Sequence, residues 1–365
     1  MDTILFWTIE ATIFCNVFAN LNDIFPSQSR RSLVWSNWNQ ATSNGAWSIR
    51  SEPLLFAVDE KLFLVSGGGL NDIWSSNDGG SNWIDEGIAA WSARSGSSSA
   101  VLNSKMFVIG GEDASSRRND VWSSTDCISW IQVTGAAAWT ARNRHKSVAY
   151  NNKLFVMGGY LGQQGASFVY LNDVWSSSNE GVTWFETTAA AGWSARAASI
   201  NVVYDNKLII IGGVGFDSGY FTHHNDVWSS LDGITWTEVT PAADWISRDS
   251  PQGAVFDNKL VVMGGAGQND VWSSLDGVSW TEITQSAAWP SRRYFTVFPL
   301  ENRLYLAAGD ANGALNDVWY MEIPGAPSSQ PSGQPSNQPS GVPTNNPSES
   351  PTPSPTESSK SFKNQ

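Results

Sequence analysis

The stretch NDVWSSLDG occupies residues 225–233 and recurs without change at residues 269–277. Close variants of its first six letters occur four more times, as NDIWSS at 71–76, NDVWSS at 119–124 and at 172–177, and NDVWYM at 316–321. The chain therefore carries six copies of one segment. Internal repetition of this kind indicates a fold built from similar units, so these copies are the strongest guide to the architecture.

The repeat has a period of 44 to 53 residues, measured between the tryptophans of successive copies. Within one copy, residues 248–284 contain four short segments rich in β-branched and aromatic residues, separated by Gly, Asn, Asp or Pro. Four such strands in a period of about 40–50 residues are typical of the blades of a β-propeller. The sequence therefore predicts an all-β, six-bladed β-propeller.

Nearly all the variation in repeat length lies in one connection, between the end of the second strand and the Asn-Asp that opens the third. That connection has between 2 and 12 residues, whereas the rest of each repeat keeps 41 or 42 residues. In a blade whose strands alternate up and down, this connection lies on the same face as the linker to the next blade. Because variable loops on a constant scaffold usually carry binding residues, we expect the ligand on this face.

The other two turns of each repeat are predicted to be structural. The first and second strands meet at a polar pair such as Asp257-Asn258, and the third and fourth meet at Asp276-Gly277 or its equivalents. Both pairs tolerate positive φ, so each predicts a two-residue hairpin. The Asn-Asp pair before the third strand is expected to satisfy turn amides with its side chains.

Five of the six copies place a glycine pair before the repeated tryptophan, with Ala308-Gly309 as a degenerate sixth, and five carry a second tryptophan eight or nine residues after it. This pattern resembles the kelch repeat, which implies a kelch-type β-propeller over residues 33–324. We expect the recurrent residues to build the scaffold, because they occur in every blade and the large aromatic rings can fill the space between blades. They are Trp74, Trp122, Trp175, Trp228, Trp272, Trp319, Gly67, Gly68, Gly110, Gly111, Gly158, Gly159, Gly212, Gly213, Gly264 and Gly265.

The sixth copy ends at VWYMEIP without its fourth-strand tryptophan. At the other end of the repeats, SNWNQATSNGAWSIR at 36–50 matches a fourth strand and linker such as VSWTEITQSAAWPSR at 278–292. We therefore expect residues 33–42 to supply the outer strand of the last blade. This pairing would close the ring and remove its free edges.

The two ends of the chain differ from the repeats in composition. Residues 1–19 include a largely apolar stretch of signal-peptide length, although Glu10 interrupts it and no Lys or Arg precedes it. Residues 20–32 form a linker, and residues 325–365 are a Pro/Ser/Thr-rich tail that is expected to be disordered. The protein is therefore expected to be secreted or exposed at the cell surface, with a cytoplasmic location as the alternative.

Composition excludes several classes of function. The formal net charge of -13 argues against nucleic acid as a partner, because phosphate binding needs a basic surface. Two cysteines cannot form a disulfide framework. No apolar run is long enough for a transmembrane helix. No cofactor and no metal are expected, since the six repeated aspartates would be spread around the ring.

The resemblance leaves some catalytic alternatives open. SNDGGSNW at 76–83 resembles an Asp-box, a turn that also occurs in sialidases, but the sialidase catalytic residues are not recovered. A galactose-oxidase-like copper site would need two histidines and two tyrosines, whereas the three histidines here are His145, His223 and His224. A sialic-acid mutarotase or epimerase, known among six-bladed kelch proteins, is the remaining enzymatic alternative.

We expect instead a non-catalytic binding module that presents its variable loops to a protein or a glycan. The repeated W-x-x-R arginines are interpreted as residues that link the blades. Candidate contacts are the residues that differ between blades on the loop-rich face, namely Glu52, Glu112, Asp113, Arg117, Arg118, Asn143, Arg144, His145, Gln163, Gln164, Tyr170, Phe216, Tyr220, His223, His224, Asp249, Gln268, Arg293, Tyr294 and Asp310.

Overall fold

The computed structural model describes residues 37–164 and 167–323, and within these two ranges the secondary structure is strands without helices. The strands of the first half are β1 (Trp38–Thr42), β2 (Leu54–Val58), β3 (Lys61–Gly67), β4 (Leu70–Ser76), β5 (Ile84–Ile88), β6 (Arg94–Ser95), β7 (Ser98–Leu102), β8 (Lys105–Asp113), β9 (Arg117–Ser124), β10 (Ile131–Thr134), β11 (Lys146–Tyr150), β12 (Lys153–Gln164) and β13 (Ser167–Ser177). Those of the second half are β14 (Phe185–Thr188), β15 (Ile200–Tyr204), β16 (Lys207–Asp217), β17 (Tyr220–Ser230), β18 (Thr237–Thr240), β19 (Gln252–Phe256), β20 (Lys259–Met263), β21 (Val271–Ser274), β22 (Thr281–Thr284), β23 (Thr296–Leu300), β24 (Arg303–Ala307) and β25 (Val318–Glu322).

Several expectations concern residues outside these ranges. The signal peptide at 1–19, the linker at 20–32 and the Pro/Ser/Thr-rich tail at 325–365 all lie beyond the described residues. They stay predictions.

The strands form antiparallel sheets in a β-propeller arrangement, as the sequence predicts for the fold class. Four sheets have four strands each, in the orders β11-β12-β13-β14, β15-β16-β17-β18, β19-β20-β21-β22 and β1-β25-β24-β23. The first two strands of each sheet meet at a turn such as Asp257-Asn258, where φ is 48° and 53°. Positive φ at both turn residues matches the right-handed twist of the flanking strands and fixes their register.

The remaining strands depart from the expectation of separate four-stranded blades. β2 to β5 and β7 to β10 belong to one nine-stranded sheet, because β6 lies between them and pairs with both sides. Arg94 pairs with Leu70 of β4 and with Asp113 of β8. In four of the other five linkers the equivalent residues make isolated bridges instead, for example between Asn143 and Tyr160. A comparable contact recurs in other repeats, where the Arg142 amide donates to the Arg118 carbonyl and the Arg292 amide donates to the Gln268 carbonyl.

The sheet that contains the last strands also contains the first one. β1 pairs antiparallel with β25, with Trp38 opposite Met321 and Gln40 opposite Trp319. Residues 38–42 therefore supply the outer strand that VWYMEIP lacks. The pairing covers the edge of β25, which would otherwise present unpaired backbone groups to solvent.

The core consists of hydrophobic clusters between successive groups of strands. One joins the β19–β22 sheet to the β1/β23–β25 sheet through residues such as Val261, Leu306 and Trp38. Another joins the latter sheet to β2 and β3 through Leu55, Leu64 and Tyr305, so the packing continues across the chain ends. At about 25 cal/mol per Å² of buried apolar surface, these clusters provide the main driving force for folding.

A linker tryptophan fills the centre of each cluster. The tryptophans of W-x-x-R are at most 2 % exposed and pack edge-to-face on the tryptophan near the fourth strand of the following group. The ring centroids of Trp47 and Trp83 are 4.6 Å apart, and those of Trp91 and Trp130 are 4.8 Å apart. T-shaped packing places the positive ring edge against the negative face and adds about 0.5–1.5 kcal/mol per pair beyond area burial.

Each W-x-x-R arginine binds the aspartate of the NDxW segment that follows it. In the β11–β14 sheet, Arg142 donates through Nη1 and Nη2 to the two carboxylate oxygens of Asp173, at 2.5 and 2.8 Å. Trp175 Nε1 donates to the same carboxylate, and the Asn172 amide donates to backbone carbonyls of the next linker. The equivalent pairs are Arg50 with Asp72, Arg94 with Asp120, Arg196 with Asp226, Arg248 with Asp270, and Arg292 with Asp317.

The Asn and Asp side chains therefore hold two linkers. They do not cap turn amides, which is the role that the sequence predicts for them. Burial alone would raise the pKa of Asp226, but the hydrogen bond and charge of Arg196, with the hydrogen bond from Trp228, outweigh it and lower that pKa. A buried bidentate ion pair of this kind is strongly directional, because the planar guanidinium fits a carboxylate in one orientation.

The expected glycine pair of the first repeat is shifted by one residue. The arginine also donates to the carbonyl of the first residue of each pair, and in this repeat Arg50 Nη1 donates to Ser66 rather than Gly67. Ser66-Gly67 is thus equivalent to Gly158-Gly159, and Gly68 belongs to the turn. Ser66 has φ 62°, so a side chain is tolerated at the first position. At Gly158 a Cβ would lie 2.7 Å from the Arg196 carbonyl oxygen, which requires glycine.

The third-to-fourth connections are longer than the two-residue hairpins expected from Asp-Gly. β21 ends at Ser274 and β22 begins at Thr281. Between them, Asp276 accepts hydrogen bonds from the backbone amides of Val278 and Ser279, and Trp280 Nε1 donates to the Gly277 carbonyl. The carboxylate thereby organises a wider turn, because it accepts hydrogen bonds from turn amides that a two-residue hairpin would not contain.

Candidate ligand site on the loop-rich face

A ring of six equivalent residues surrounds the centre of the loop-rich face. Each lies two positions after a linker arginine, and each has a positive φ of 53° to 63°. This conformation turns the chain from the linker into the first strand, and it costs a non-glycine residue of order 1 kcal/mol or more. The backbone conformation is thus uniform, whereas the residue type differs. The six residues are Glu52, Gly96, Arg144, Ala198, Ser250 and Tyr294.

These residues form the mouth of a central channel with a volume of about 190 Å³. Its walls are the beginnings of the first strands, which alternate side chains between the channel and the sheet interfaces. Polar side chains are frequent along the walls, among them Ser98, Lys146, Ser147, Asn201 and Gln252. A polar channel of this size is suited to water or to a small hydrophilic group.

Arg144 crosses the mouth of the channel. Its Nε donates to Glu52 Oε1 at 2.6 Å, and its guanidinium carbon lies 4.5 Å from the centre of the Tyr294 ring. Burial opposes the charge of Arg144, but the Glu52 carboxylate more than compensates and raises the arginine pKa. Arg144 therefore remains a cation held between an acid and an aromatic face.

A second, outer cavity adjoins the channel and shares Arg144 and Tyr294 with it. It has a volume of about 420 Å³, and two long hairpins, β12–β13 and β16–β17, form one side. The extra residues of these repeats continue the strands beyond the sheet and do not form irregular loops. The other lining residues are Tyr160, Phe168, Tyr170, Val214, Phe221, His223, Asp249 and Arg293.

Aromatic contacts hold the two hairpins together. The ring of Phe168 lies 5.1 Å from both Phe216 and Phe221, measured between centroids. Tyr160 and Tyr170 pack at 5.0 Å across the β12–β13 hairpin. Rings packed at these distances and angles restrict one another, so the wall of the outer cavity has a defined shape before any ligand arrives.

The opposite side of the outer cavity is charged. Asp249 Oδ2 accepts hydrogen bonds from Arg293 Nη1 and from the Tyr294 hydroxyl, both at 3.3 Å. Burial raises the pKa of Tyr294, and it raises that of Tyr170 to about 12. Both phenols consequently stay protonated at neutral pH. The Tyr294 hydroxyl donates its one proton to Asp249, whereas Tyr170 can donate to a ligand.

The structure brings eight of the candidate residues to the two cavities. They come from linkers and hairpins far apart in sequence, which is consistent with a site assembled from several repeats. They are Glu52, Arg144, His145, Tyr170, His223, Asp249, Arg293 and Tyr294.

Other candidates support neighbouring structure without lining a cavity. The Asn143 amide donates to Glu112, which also pairs with Arg117 at 3.3 Å, and Arg117 lies over the Tyr160 ring. This group braces the base of the aromatic hairpin. Asn143, Glu112 and Arg117 line neither cavity, so they position the wall and do not face a ligand there.

Asp113 and Arg118 belong to a separate ion pair at the β8–β9 hairpin. Burial would raise the pKa of Asp113, but hydrogen bonds from Ser92, Ser115 and Ser116 outweigh it and lower the pKa. The carboxylate thus closes its own turn and lines neither cavity.

Two of the three histidines are mainly packing residues. His145 is 1 % exposed, its ring lies 5.6 Å from that of Trp139, and burial together with the charges of Arg142 and Lys146 lowers its pKa to about 3. Burial next to Arg196 lowers the pKa of His224 to about 4. Both rings are therefore neutral at pH 7.

The remaining candidates are dispersed. Phe216 packs inside the aromatic wall, whereas Tyr220 is 77 % exposed at the tip of β16–β17. Gln268 and Asp310 stabilise their own loops through backbone contacts, and Asp310 also bridges Arg293. Gln163 and Gln164 lie near the tip of β12, and their side chains are outside the described part of the structure.

Sequence reasoning missed four wall residues of the outer cavity, Tyr160, Phe168, Val214 and Phe221. It also missed the polar residues along the channel, among them Ser98, Lys146, Ser147, Asn201 and Gln252. The four wall residues lie in the variable connections, where apolar side chains were passed over in favour of polar ones. Lys146 is the fourth residue after Arg142, at the start of a strand that was interpreted as pure scaffold. The alternation of side chains between the two faces of the first strand could have identified Lys146.

Within residues 37–164 and 167–323, no cluster of three or more His, Cys, Asp or Glu side chains is arranged to hold a metal ion. The same ranges contain no helix with the length and apolarity needed to span a membrane.

Comparison with known proteins agrees with the repeat pattern. Residues 84–265 match the family model of the KLHDC2/KLHL20/DRC7 Kelch-repeats domain. The chain carries a kelch-repeat domain. Sequence comparison with curated proteins finds no match. Among solved structures, one titled "Structure of YjhT" resembles the kelch domain with a TM-score of 0.64 at 14% identity, over 76% of this chain and 96% of that chain. At this identity the likeness concerns the fold alone.

Proposed function

We propose that the kelch domain is a non-catalytic binding module that holds a glycan in the outer cavity of its loop-rich face. The observation that supports this most directly is the composition of the cavity, which combines an aromatic wall with a charged, hydrogen-bonding side. A kelch propeller is in general a binding scaffold, and the proposal specifies what is bound and where.

The chemistry of the cavity suits a sugar ring. The rings of Tyr160 and Phe168 offer apolar surface for the C–H face of a pyranose, while Arg293 and Asp249 offer planar donors and acceptors for paired hydroxyls. The volume of about 420 Å³ falls in the range of roughly 300–1,000 Å³ that is usual for small-ligand sites. A flat protein surface would leave this concave wall partly uncovered, which favours a glycan over a folded protein.

The same geometry favours binding without catalysis. The carboxylates nearest the ligand space, Glu52 and Asp249, are both engaged, the first by Arg144 and the second by Arg293 and Tyr294. A general acid or base needs a proton that it can exchange with the substrate, and an ion-paired carboxylate is poorly suited to that role. The sugar-modifying activities considered from sequence therefore rank below binding.

We further infer that the domain works as a six-bladed ring. On this interpretation β2–β5 and β7–β10 are two blades that share the bridging strand β6, and β1 closes the sixth blade. Six hydrophobic clusters separate successive groups of strands among the described residues, and this number supports the inference.

Secretion or display at the cell surface is also part of the proposal, since a glycan receptor is most useful there. It rests on the apolar stretch in residues 1–19 and on the Pro/Ser/Thr-rich composition after residue 325. Fusing residues 1–25 to a reporter tests it. Export with cleavage is expected, and an uncleaved reporter retained in the cell would contradict it.

A glycan array probed with the full chain tests the ligand class. The wild-type protein and a Phe185→Ser control, altered at an exposed outer strand, should bind the same glycans. Tyr160→Ala and Arg293→Ala should each weaken binding by about 10-fold or more, the loss expected for one stacking ring or one charged hydrogen bond. Binding unaffected by both variants would exclude the outer cavity.

Two further results would overturn parts of the proposal. Capture of a protein that Tyr160→Ala no longer captures, together with an array without hits, would replace the glycan by a protein partner. Conversion of a bound sugar, followed by NMR of its anomeric protons, would replace binding by catalysis.

A further inference from the structure

Arg144 uses only part of its hydrogen-bonding capacity. Its Nε donates to Glu52 Oε1 at 2.6 Å, and its guanidinium carbon lies 4.5 Å from the centre of the Tyr294 ring. Within residues 37–164 and 167–323, its amino groups Nη1 and Nη2 have no hydrogen-bond partner. Arg142 in the same linker differs, because its Nη1 and Nη2 both donate to Asp173. Arg144 therefore keeps a planar fork of N–H donors for a ligand.

The fork belongs to a side chain that borders the outer cavity. Arg144 lines both the central channel and the outer cavity, whereas Glu52 lines the channel and not the outer cavity. Glu52 thus holds the guanidinium from the channel side. The Arg144 side chain is 36% exposed, so neither Glu52 nor Tyr294 covers it completely. A ligand in the outer cavity can reach the part that remains.

Several contacts fix Arg144 before a ligand binds. Its backbone amide donates to the Gly96 carbonyl at 2.7 Å, and Glu52 and the Tyr294 ring hold the guanidinium. The Tyr294 ring is held in turn, because its hydroxyl donates to Asp249. A guanidinium that is already oriented loses little conformational entropy when it binds an oxyanion.

We propose that the glycan in the outer cavity carries a sulfate ester, which accepts hydrogen bonds from Nη1 and Nη2 of Arg144. This inference rests on the proposed function, because the sugar ring still occupies the outer cavity. The two amino groups match two oxygens of the sulfate in the bidentate geometry typical of arginine. The Tyr170 hydroxyl lines the same cavity and is a neutral donor for the third oxygen.

Two properties of the site favour a sulfate over a carboxylate. Three terminal oxygens use the arginine fork and the Tyr170 hydroxyl together, whereas a carboxylate has only two oxygens. The guanidinium is weakly hydrated and lies against an aromatic ring, so it pairs best with an anion that also loses water readily. A sulfate ester spreads one charge over three oxygens and is therefore less strongly hydrated than a carboxylate.

A glycan array of matched sugars tests this inference. Galactose, glucose and N-acetylglucosamine are each presented unmodified and sulfated at each free hydroxyl in turn, and galactose and glucose are also presented as their uronates. The full chain should bind a sulfated form at least about 10-fold more tightly than the unmodified sugar, the gain expected for a charged hydrogen bond. Non-specific attraction would not produce this preference, because the net charge of the chain is -13.

Substitution of Arg144 separates the sulfate contact from sugar binding. Arg144→Gln removes the charge and the fork, so it should lose the preference for sulfate and bind the unmodified sugar like the wild type. Arg144→Lys keeps the charge without the fork and should recover only part of the preference. Arg118→Gln is the matched control, because Arg118 also pairs with a carboxylate but lines neither cavity. A cooperative thermal transition shows that each variant is folded.

The inference is overturned if the wild type binds sulfated and unmodified sugars equally, or if Arg144→Gln keeps the preference for sulfate. Uronates that bind more tightly than the sulfated sugars would also overturn it, because the anionic group would then be a carboxylate. In each of these cases, sugar binding that is lost in Tyr160→Ala would leave the proposed glycan site standing. An array without any hits, in contrast, would reject the glycan site itself.

Discussion

Two arginines in one linker, Arg142 and Arg144, show how this domain separates its scaffold from its variable face. Arg142 occurs at the same position in every linker, is 1 % exposed, and binds both oxygens of Asp173. Arg144 occupies a position where the other linkers have five different residues, and it joins Glu52 to Tyr294 across the channel mouth. The two guanidinium groups are chemically identical.

The two arginine positions differ in the groups that surround the side chain. The Arg142 pocket consists of repeated groups, so another residue would leave a buried carboxylate without its partner. The Arg144 position fixes only the backbone, at φ 53°, and leaves the side chain to vary. Repetition therefore marks residues that are required for folding, and variation at a constant backbone position marks residues available for binding.

The largest effect is expected when the closing strand of the scaffold is removed. A chain that begins at Ser43 lacks β1, so β25 has an open edge and the cluster around Trp289 loses Trp38. We expect loss of the cooperative thermal transition, monitored by near-UV circular dichroism. A chain that begins at Asn37 retains β1 and serves as the control. If both chains melt like the full protein, the pairing of β1 with β25 is not needed for stability.

Substitution of the two arginines tests the comparison directly. Arg142→Ala should lower the free energy of unfolding by about 3–5 kcal/mol, because it leaves the Asp173 carboxylate buried and unpaired. Arg144→Ala should cost on the order of 1 kcal/mol, since its side chain is 36% exposed. Urea denaturation measures both values. Equal losses of unfolding free energy in the two variants would contradict the assignment of Arg142 to the scaffold and Arg144 to the variable face.

The neighbouring His145 should make stability depend on pH. Its pKa is lowered to about 3 in the folded state, whereas an unfolded histidine titrates near 6.5. The unfolded chain therefore binds more protons between these values, and stability falls as the pH decreases from about 6.5 towards 3. His145→Phe copies Phe295, the equivalent residue beside Trp289.

The size of this effect follows from the two pKa values. Between pH 7 and pH 5 the wild type should lose about 2 kcal/mol more stability than His145→Phe, measured by urea denaturation at both pH values. The comparison with His145→Phe removes the contribution of the other titrating groups. Parallel pH profiles for the two proteins would show that His145 is not buried in its neutral form.

The smallest effect is expected at the β8–β9 hairpin. Arg118 pairs with Asp113 but is partly exposed, and serine hydrogen bonds hold the same carboxylate. Arg118→Ala should change the free energy of unfolding by less than about 1 kcal/mol and leave glycan binding unchanged. A large loss of binding would extend the site beyond the two cavities.

Sequence alone predicted the parts of the fold that recur. The kelch resemblance, the all-β propeller arrangement and the strand supplied by residues near 38–42 all followed from six aligned copies. Details that depend on pairing geometry were less accessible. The shift from Gly67-Gly68 to Ser66-Gly67 became visible only through the Arg50 hydrogen bond. Likewise, the pairing of Arg94 with both Leu70 and Asp113, which joins two groups of strands through β6, became visible only in the structure.

The candidate site was predictable as a face but not as a set of contacts. Variable residues such as Glu52, Arg144 and Tyr294 were expected there, and the structure brings them together. It also shows that Glu112 and Asp113 are occupied by neighbouring groups, which charge alone cannot reveal. Lys146 was missed because its direction depends on strand alternation, which becomes certain only when the first residue of β11 is known.

The pairing of Trp38 with Met321 also affects how the protein is made. β1 is among the first segments to leave the ribosome, yet its partner strand is synthesised 283 residues later. At about 5–20 residues per second, the nascent chain spends roughly 15–60 s with this strand unpaired. The intermediate groups of strands can form in turn during that interval, but the ring cannot close. Slow synthesis near residue 320 would therefore prolong the period in which the chain is open to aggregation.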